Sequence, residues 1–528
     1  MSAFDLPVAA PDANPDFRDA AGCAAWLQGV PLINVASSHG KLIAQLAELN
    51  RCAIAPAERL KILEQLRPAV LFVQAEQAKK FANRPVPLSP PEREAFNAVT
   101  SLWAAFLLGY QYCLEGETDA AQAAVACQRA LWCLSEKIGE HYSAYQEIAP
   151  ESWRLLNRLY ALAEERGVAE REVDHPEYKK IETRCVETYA RTLLLNLANP
   201  NEHAPRQTAI IARWLERWSQ KVAFSRTPRA GDQAPLAVDL AGDGGAARSG
   251  ATGESVRYLD VSDIARSVKK RVSLLRKGES PSALNLGDVP PAAAEQLLIM
   301  LFKQWCEDKR SRVHPRRAAS GTAELCIGMP AMHYYISGER FRQPAGLEEL
   351  SKMQREEIAT FGRVATRHEE EDYGKAQGYF LETWQLKDES RSGLRLERPD
   401  PAAAARYQLH QLIAVRPADG KSFILGMVRW LSVGPDLLLR AGVRIMPGMP
   451  RGVSVRGTGL NATNERFTAA LLLPAAAALG SAESLVIPNG WFKPGRMIEL
   501  IRESSSNVVL TALLERGVDY ERVTFEPA

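Results

Sequence analysis

Lys309-Arg310-Ser311-Arg312-Val313-His314-Pro315-Arg316-Arg317 is the densest basic cluster in the chain, and the hydrophobic period changes across it. Before it, residues 263–275 and 295–305 carry apolar side chains at steps of three and four, the period of a helix with one buried face. After it, from Thr322, the period falls to about two. Residues 322–327, 379–386, 407–415, 423–430 and 439–446 read as strands. Asp419-Gly420 is a hairpin turn between two of them. Five or more short antiparallel strands with such turns predict a small barrel. Pro315 opposes helix continuation, so the arginines fall on a short tether between helix and barrel, able to fold over a barrel face.

Working outward, residues 57–222 are helical in pattern. Ser89-Pro90-Pro91-Glu92 supplies an N-cap, a proline at the first helical position and a capping-box glutamate. Phe96, Val99, Trp103, Phe106 and Tyr110 then share one helix face, as do Ala124, Cys127, Leu131, Leu134 and Ile138. Trp132, Trp153, Trp214 and Trp218 read as packing residues of the same core. Residues 229–254 hold six glycines, seven alanines and no aromatic residue, a composition expected of a flexible linker. At the other end, 453–525 has Asn489-Gly490 and Pro494-Gly495 turns between apolar runs and reads as a small β module or an extension of the barrel. The expected organisation is multidomain α+β: an α-helical domain at 1–228, the linker at 229–254, a helical connector at 255–308, an antiparallel β-barrel at 309–450, and the β module at 451–528.

With 65 Lys+Arg against 63 Asp+Glu, the chain has no global field to attract nucleic acid or acidic lipid, so any anion site is a local cluster. The longest apolar runs, 102–110 and 467–479, are shorter than the roughly 18 to 20 residues a membrane span needs, and the first twenty residues lack the basic and apolar regions of a secretory signal. Eight scattered cysteines without a C-x-x-C pair suggest a reducing, cytoplasmic setting. The sequence has no P-loop, no G-x-G-x-x-G and no H-E-x-x-H, and its eight histidines are dispersed. The run His368 to Asp372 reads as solvated charge more than as a metal site. No catalytic residue, metal or cofactor is expected.

A second polar cluster, Asp388-Glu389-Ser390-Arg391-Ser392-Gly393, follows the strand that begins near Tyr379. Arg312-x-x-x-Arg316, then Asp388-x-Ser390-x-x-Gly393, then Leu425-Gly426-Met427-Val428-Arg429-Trp430 and Ala441-Gly442-Val443-Arg444, in that order, resemble a PilZ domain. The resemblance covers about 309–450. It implies a six-stranded barrel that binds cyclic di-GMP and has no catalytic activity of its own. Between Arg316 and Asp388 lie 71 residues, more than the family's usual spacing, and this fits an insertion at about 339–377 that includes a helix near 347–361. Loop length has a slowly growing entropic cost, so such an insertion leaves a barrel intact.

The residue types suit that ligand. Arginine can pair bidentately with guanine O6 and N7, stack on a purine or meet a phosphate. By similarity, Arg312 and Arg316 would clamp guanine and phosphate, Asp388 would accept from guanine N1 and N2, Ser390 would add a hydrogen bond, and Gly393 would keep the strand end clear. Arg310 and Arg317 are possible helpers. The expectation is a cytoplasmic receptor that relays the signal through its helical half to an unidentified protein partner, in motility, pili or biofilm control. It neither binds nucleic acid nor inserts into membrane. The competing expectation is a helical scaffold or adaptor whose barrel binds no nucleotide.

Overall fold

A computed structural model describes residues 4–115, 119–174, 182–229, 234–307, 316–343, 373–374, 376–399, 405–458 and 465–528. The chain divides into two compact units, Met1–Ser311 and Arg312–Ala528. The architecture is multidomain α+β: helices dominate the first unit, and the second is built around two closed barrels. Among the described residues no helix is long and apolar enough to cross a membrane.

In the first unit α1 (Ala20–Gln28), α2 (Val35–Asn50), α3 (Pro56–Ala78), α4 (Pro90–Cys113), α5 (Ala120–Ser143), α6 (Pro150–Glu165), α7 (Cys185–Leu197) and α8 (Pro205–Trp218) precede a small sheet. The Ser89 N–H donates to the Glu92 carboxylate at 2.8 Å, which starts α4 where the capping residues stand. The expected stripes on α4 and α5 are buried, and Trp103 meets Trp132 edge to face between them.

The segment 229–254 is not the flexible linker its composition suggests. It contains β2 (Leu236–Asp239) and β3 (Ala247–Arg248), which join β1 (Ala223–Ser225) and β4 (Val256–Asp260) in a sheet of order β1-β4-β2-β3. Leu236 and Val238 are only 2% exposed and belong to the helical core. The glycines serve close approach. Asn157 of α6 donates to the carbonyls of Asp239, Gly242 and Gly244, and a Cβ on Gly245 would lie 2.7 Å from Asn196 Nδ2. The expected connector at 255–308 differs too: α9 (Ser262–Arg276) and α10 (Pro291–Trp305) pack into the same core, with Trp305 Nε1 donating to the Leu194 carbonyl at 3.0 Å.

One carboxyl in this unit responds to pH near neutrality. Burial, reinforced by repulsion from Glu136, pushes the half-buried Glu140 up to about 7, partly offset by a hydrogen bond from Ser143. Because its folded value lies above its ordinary value of 4.5, the stability it contributes is full below about 4.5 and lost as pH rises through 7. Denaturant midpoints of the helical unit should therefore fall from pH 5.5 to pH 8. Glu140→Gln should flatten that dependence; an unchanged slope would exclude Glu140 as its source.

In the second unit β5 (Arg317–Ile327), β6 (Glu382–Ser390), β7 (Gly393–Arg398), β8 (Leu412–Pro417), β9 (Ile424–Val433) and β10 (Leu439–Ile445) close an antiparallel barrel of order β10-β7-β6-β5-β8-β9. Helix α11 (Met329–Ser337) follows β5. The C-terminal module is a barrel in its own right: β11 (Arg451–Gly457), β12 (Thr468–Leu473), β13 (Ser484–Pro488), β14 (Met497–Ile501), β15 (Ser505–Arg516) and β16 (Tyr520–Pro527) close in the order β11-β12-β13-β16-β15-β14. The two share a core. Leu412, Ala414, Leu425 and Met427 on the outside of the first barrel pack with Met332 of α11 and with Leu471, Leu473, Val486 and Tyr520 of the second. That covering explains why Leu412 to Val415 is apolar at every position where a solvent-facing strand would alternate. Residues 347–361 and the acidic run 369–372 of the expected insertion lie outside the described residues.

Candidate functional site

The site residues sit where β5, β6, β7 and β10 run side by side. Ala318 pairs with Asp388, Asp388 with Arg395, Ser390 with Gly393, and Gly393 with Arg444. Leu386 is nine-tenths buried in the barrel and pairs with Leu396. Two residues later on a regular strand, Asp388 would point inward as well. The register shifts between them, so Lys387 is an extra residue on β6, and the bulge turns Asp388 to the outer face opposite the exposed Arg395.

Arg316 immediately precedes β5 on the same side. Its Nη1 lies 3.2 Å from Asp388 Oδ1 and 3.4 Å from Oδ2. The Asp388 side chain is 18% exposed, and its Oδ1, buried and facing Arg316, receives no aligned hydrogen bond among the described residues. A buried acceptor with a free lone pair beside a cation suits a ligand that brings its own N–H donors. Ser390 Oγ donates to the Gly393 carbonyl at 3.2 Å, and Ile445 N–H donates to the Ser392 carbonyl at 3.0 Å, so the corner between β6 and β7 is fastened to β10.

Gly393 is required by close approach. A Cβ there would come within 2.7 Å of the Val443 carbonyl oxygen, a backbone atom that cannot swing aside. Gly393→Val should therefore open the β7–β10 pairing and cost about 1 to 3 kcal/mol of stability, the usual range for overpacking. Denaturant unfolding and ligand titration on one preparation should both show the loss. Unchanged behaviour in both would mean that the corner tolerates a side chain.

The structure thus brings Arg316, Asp388, Ser390 and Gly393 onto one face. Arg317 differs: its register partner is Glu389, which places it on the alternate side of the strand from Asp388. Arg310 and Arg312 lie outside the described residues. Two arginines to which the motifs gave no ligand role also border the face. Arg395 stands opposite Asp388, and Arg444 stands opposite Gly393 and is ion-paired with Glu515 of the second barrel. The alternation Leu394-Arg395-Leu396 was the available signal for the first. Beside Arg444 opens a cleft of about 830 Å³ between the barrels, lined by His410 and Arg429 on one side and Ser481, Arg516 and Arg522 on the other. That is within the size of ordinary small-ligand sites, roughly 300 to 1,000 Å³.

Three family models match the chain in order. Residues 20–229 match the N-terminal domain of the cyclic-di-GMP receptor FimW, 245–377 its middle PilZ domain, and 453–528 its C-terminal beta-barrel domain. The middle match contains the tether arginines and ends before the Asp388 corner. The cyclic-di-GMP receptor FimW of Pseudomonas aeruginosa (strain PAO1) is 24% identical over 521 residues, covering 90% of this chain and 85% of that protein. Among solved structures MrkH, described as a novel c-di-GMP dependence transcription regulatory factor, is 9% identical and covers 42% of this chain and 91% of that one; its TM-score of 0.13 is too low to bear on the fold. The three matches follow one another in the order of FimW's domains, and the middle one, which takes in α9, α10 and β5, shows that this chain contains a PilZ domain.

Proposed function

We propose that this chain is a non-catalytic cyclic di-GMP receptor that binds the dinucleotide on the outer face of its first barrel. The observation that carries the reading is the convergence of Arg316, from the tether, with Asp388, Ser390 and Gly393, from beyond the insertion, with Asp388 Oδ1 left free to accept. In this reading Asp388 accepts from guanine N1 and N2, Arg316 meets guanine or phosphate, and Arg312, four residues earlier on the tether, supplies the second guanidinium. Arg395 adds positive charge next to Asp388. The cleft beside Arg444 gives the second guanine room without crossing the barrel.

Each bidentate contact is worth about 1 to 3 kcal/mol, so a few suffice for micromolar affinity, roughly −8 kcal/mol. The chemistry asked of the protein is recognition alone. The helical unit would then pass the signal to a protein partner by recruitment, in a cytoplasmic pathway controlling motility, pili or biofilm. The likeness to FimW supports the receptor role; the pathway rests on family resemblance.

Isothermal titration of the full chain with cyclic di-GMP, with GTP and a short RNA as competitors, tests the reading. Saturable binding that neither competitor displaces is the expected result. Binding to no nucleotide would leave the scaffold reading, and displacement by RNA would point to a nucleic-acid surface.

A further inference from the structure

The helical unit has a basic pocket that nucleotide binding on the barrel does not use. Helix α8 runs into a short 3-10 turn at Ser219–Lys221, so Arg213, Arg217 and Lys221 recur every four residues, a line of cations about 12 Å long at 1.5 Å per residue. Arg271 of α9 enters from the facing wall, and Ser282, Asn285 and Gly287 close the third side of a cavity of about 460 Å³. Trp214 and Trp218 form its floor. Both are buried; Trp214 is pinned by a 2.9 Å hydrogen bond from Nε1 to the Leu286 carbonyl, and the Arg271 guanidinium stands 5.8 Å from a Trp218 ring centroid.

The charges of this pocket are unbalanced. Four cations share it with one carboxylate, Glu216. Several other arginines of the unit are paired with carboxylates: Arg129 with Glu64, Arg191 with Glu136, Arg257 with Glu164. Here Lys221 donates to Ser267 Oγ and Arg271 to the Leu284 and Ser267 carbonyls, and neither Arg213 nor Arg217 has an ion-pair partner among the described residues. Burial and the nearby Arg217 both push the Arg271 guanidinium below its ordinary value. The helix dipole accounts for Arg217 and Lys221, which lie in the last turns of α8 and of the 3-10 turn that follows it, and not for Arg213 or Arg271.

We propose that this pocket docks an acidic segment of a protein partner, one that presents at least three carboxylates over about 12 Å, as a helix with Glu or Asp every four residues does. A compact phosphate fits less well. The cations are strung along about 12 Å, more than one phosphate spans. The tryptophan floor suits the methylene stems of glutamates. The proposal builds on the relay to a protein partner and is independent of nucleotide binding.

A 17-residue helix-forming peptide with glutamate at every fourth position, a scrambled peptide of equal composition, inorganic phosphate and GTP are titrated against the full chain at two salt concentrations. The patterned peptide should bind saturably and weaken steeply with salt. Arg213→Glu with Arg217→Glu should cost at least tenfold and confer affinity for the same peptide with lysine replacing glutamate, while the cyclic di-GMP isotherm stays as in the parent chain. If that variant melts early, Arg213→Gln with Arg217→Gln replaces it, with the tenfold loss still expected. Equal binding of patterned and scrambled peptides, equal binding by parent and variant, or displacement of the peptide by phosphate or GTP would overturn the proposal. A chain that binds peptide as expected and no cyclic dinucleotide would overturn only the barrel reading.

Discussion

Asp388→Ala should weaken cyclic di-GMP binding at least about tenfold, and Arg316→Ala by a similar factor, each decade corresponding to roughly 1.4 kcal/mol. Both side chains lie on the outer face of β6 and its approach from the tether, and their mutual ion pair is 36% and 18% exposed. A pair with that much solvent contact contributes only about 0 to 1 kcal/mol to folding. The variants should therefore melt close to the parent chain while losing ligand, which separates a binding role from a structural one. The two losses should not add. Arg316 holds the Asp388 carboxylate at 3.2 Å, so deleting either residue also misplaces the other, and the double variant should fall short of the product of the singles. Unchanged titration isotherms in both single variants, with the fold intact, would remove these residues from the site and with them the central support for a receptor.

How far the sequence carried this site depends on what local pattern can encode. The barrel was legible because apolar alternation marks strands, and five of its six were found. The exception is β7, whose first residue, Gly393, ends the polar cluster. The two largest displacements of a strand start, five residues each, have physical reasons. β5 begins at Arg317, five residues before the alternation does, because its polar start pairs with β6 around a register shift between Ala318 and Gly321. β8 begins at Leu412, not Tyr407, because His410 has φ of 63° and makes a turn there. The residue types of the site were readable, but their convergence was not. Arg316 and Asp388 meet only because β5 and β6 pair across the insertion, and Asp388 faces outward only because Lys387 forms a bulge, which composition does not announce. The supposed linker failed in the same way: glycine and alanine describe low side-chain volume, and only the fold decides whether that volume serves freedom or the close packing that Asn157 and Asn196 impose.

The expectation that charge lies at the surface failed most sharply at Arg398, which is 1% exposed inside the first barrel, and this position gives the largest expected effect on stability. Its Nη1 donates to the Ala405 carbonyl at 2.8 Å and lies 3.7 Å from Glu382 Oε1, while Glu382 Oε2 accepts from Trp384 Nε1 at 3.1 Å and from the Tyr407 hydroxyl at 2.7 Å. Burial and the adjoining Glu382 raise Tyr407 far above its usual range, so its hydroxyl remains a donor throughout the physiological range. Glu382→Ala removes the one carboxylate in this network, strands the guanidinium and orphans two donors. Breaking a buried pair from one side costs about 3 to 5 kcal/mol, a large part of the roughly 5 to 15 kcal/mol that holds a domain folded. Trp384 is fully buried beside the change, so its fluorescence should report the earlier unfolding in denaturant. Replacing both partners, Glu382→Leu with Arg398→Met, should recover much of the loss, because no unpaired charge then remains inside. A cost below about 1 kcal/mol for Glu382→Ala would mean that water already reaches Arg398, as an exposed pair would behave. Glu382 and Asp388 share strand β6, so the two variants also form a contrast: one should lose ligand because the barrel opens, the other while the barrel stays closed.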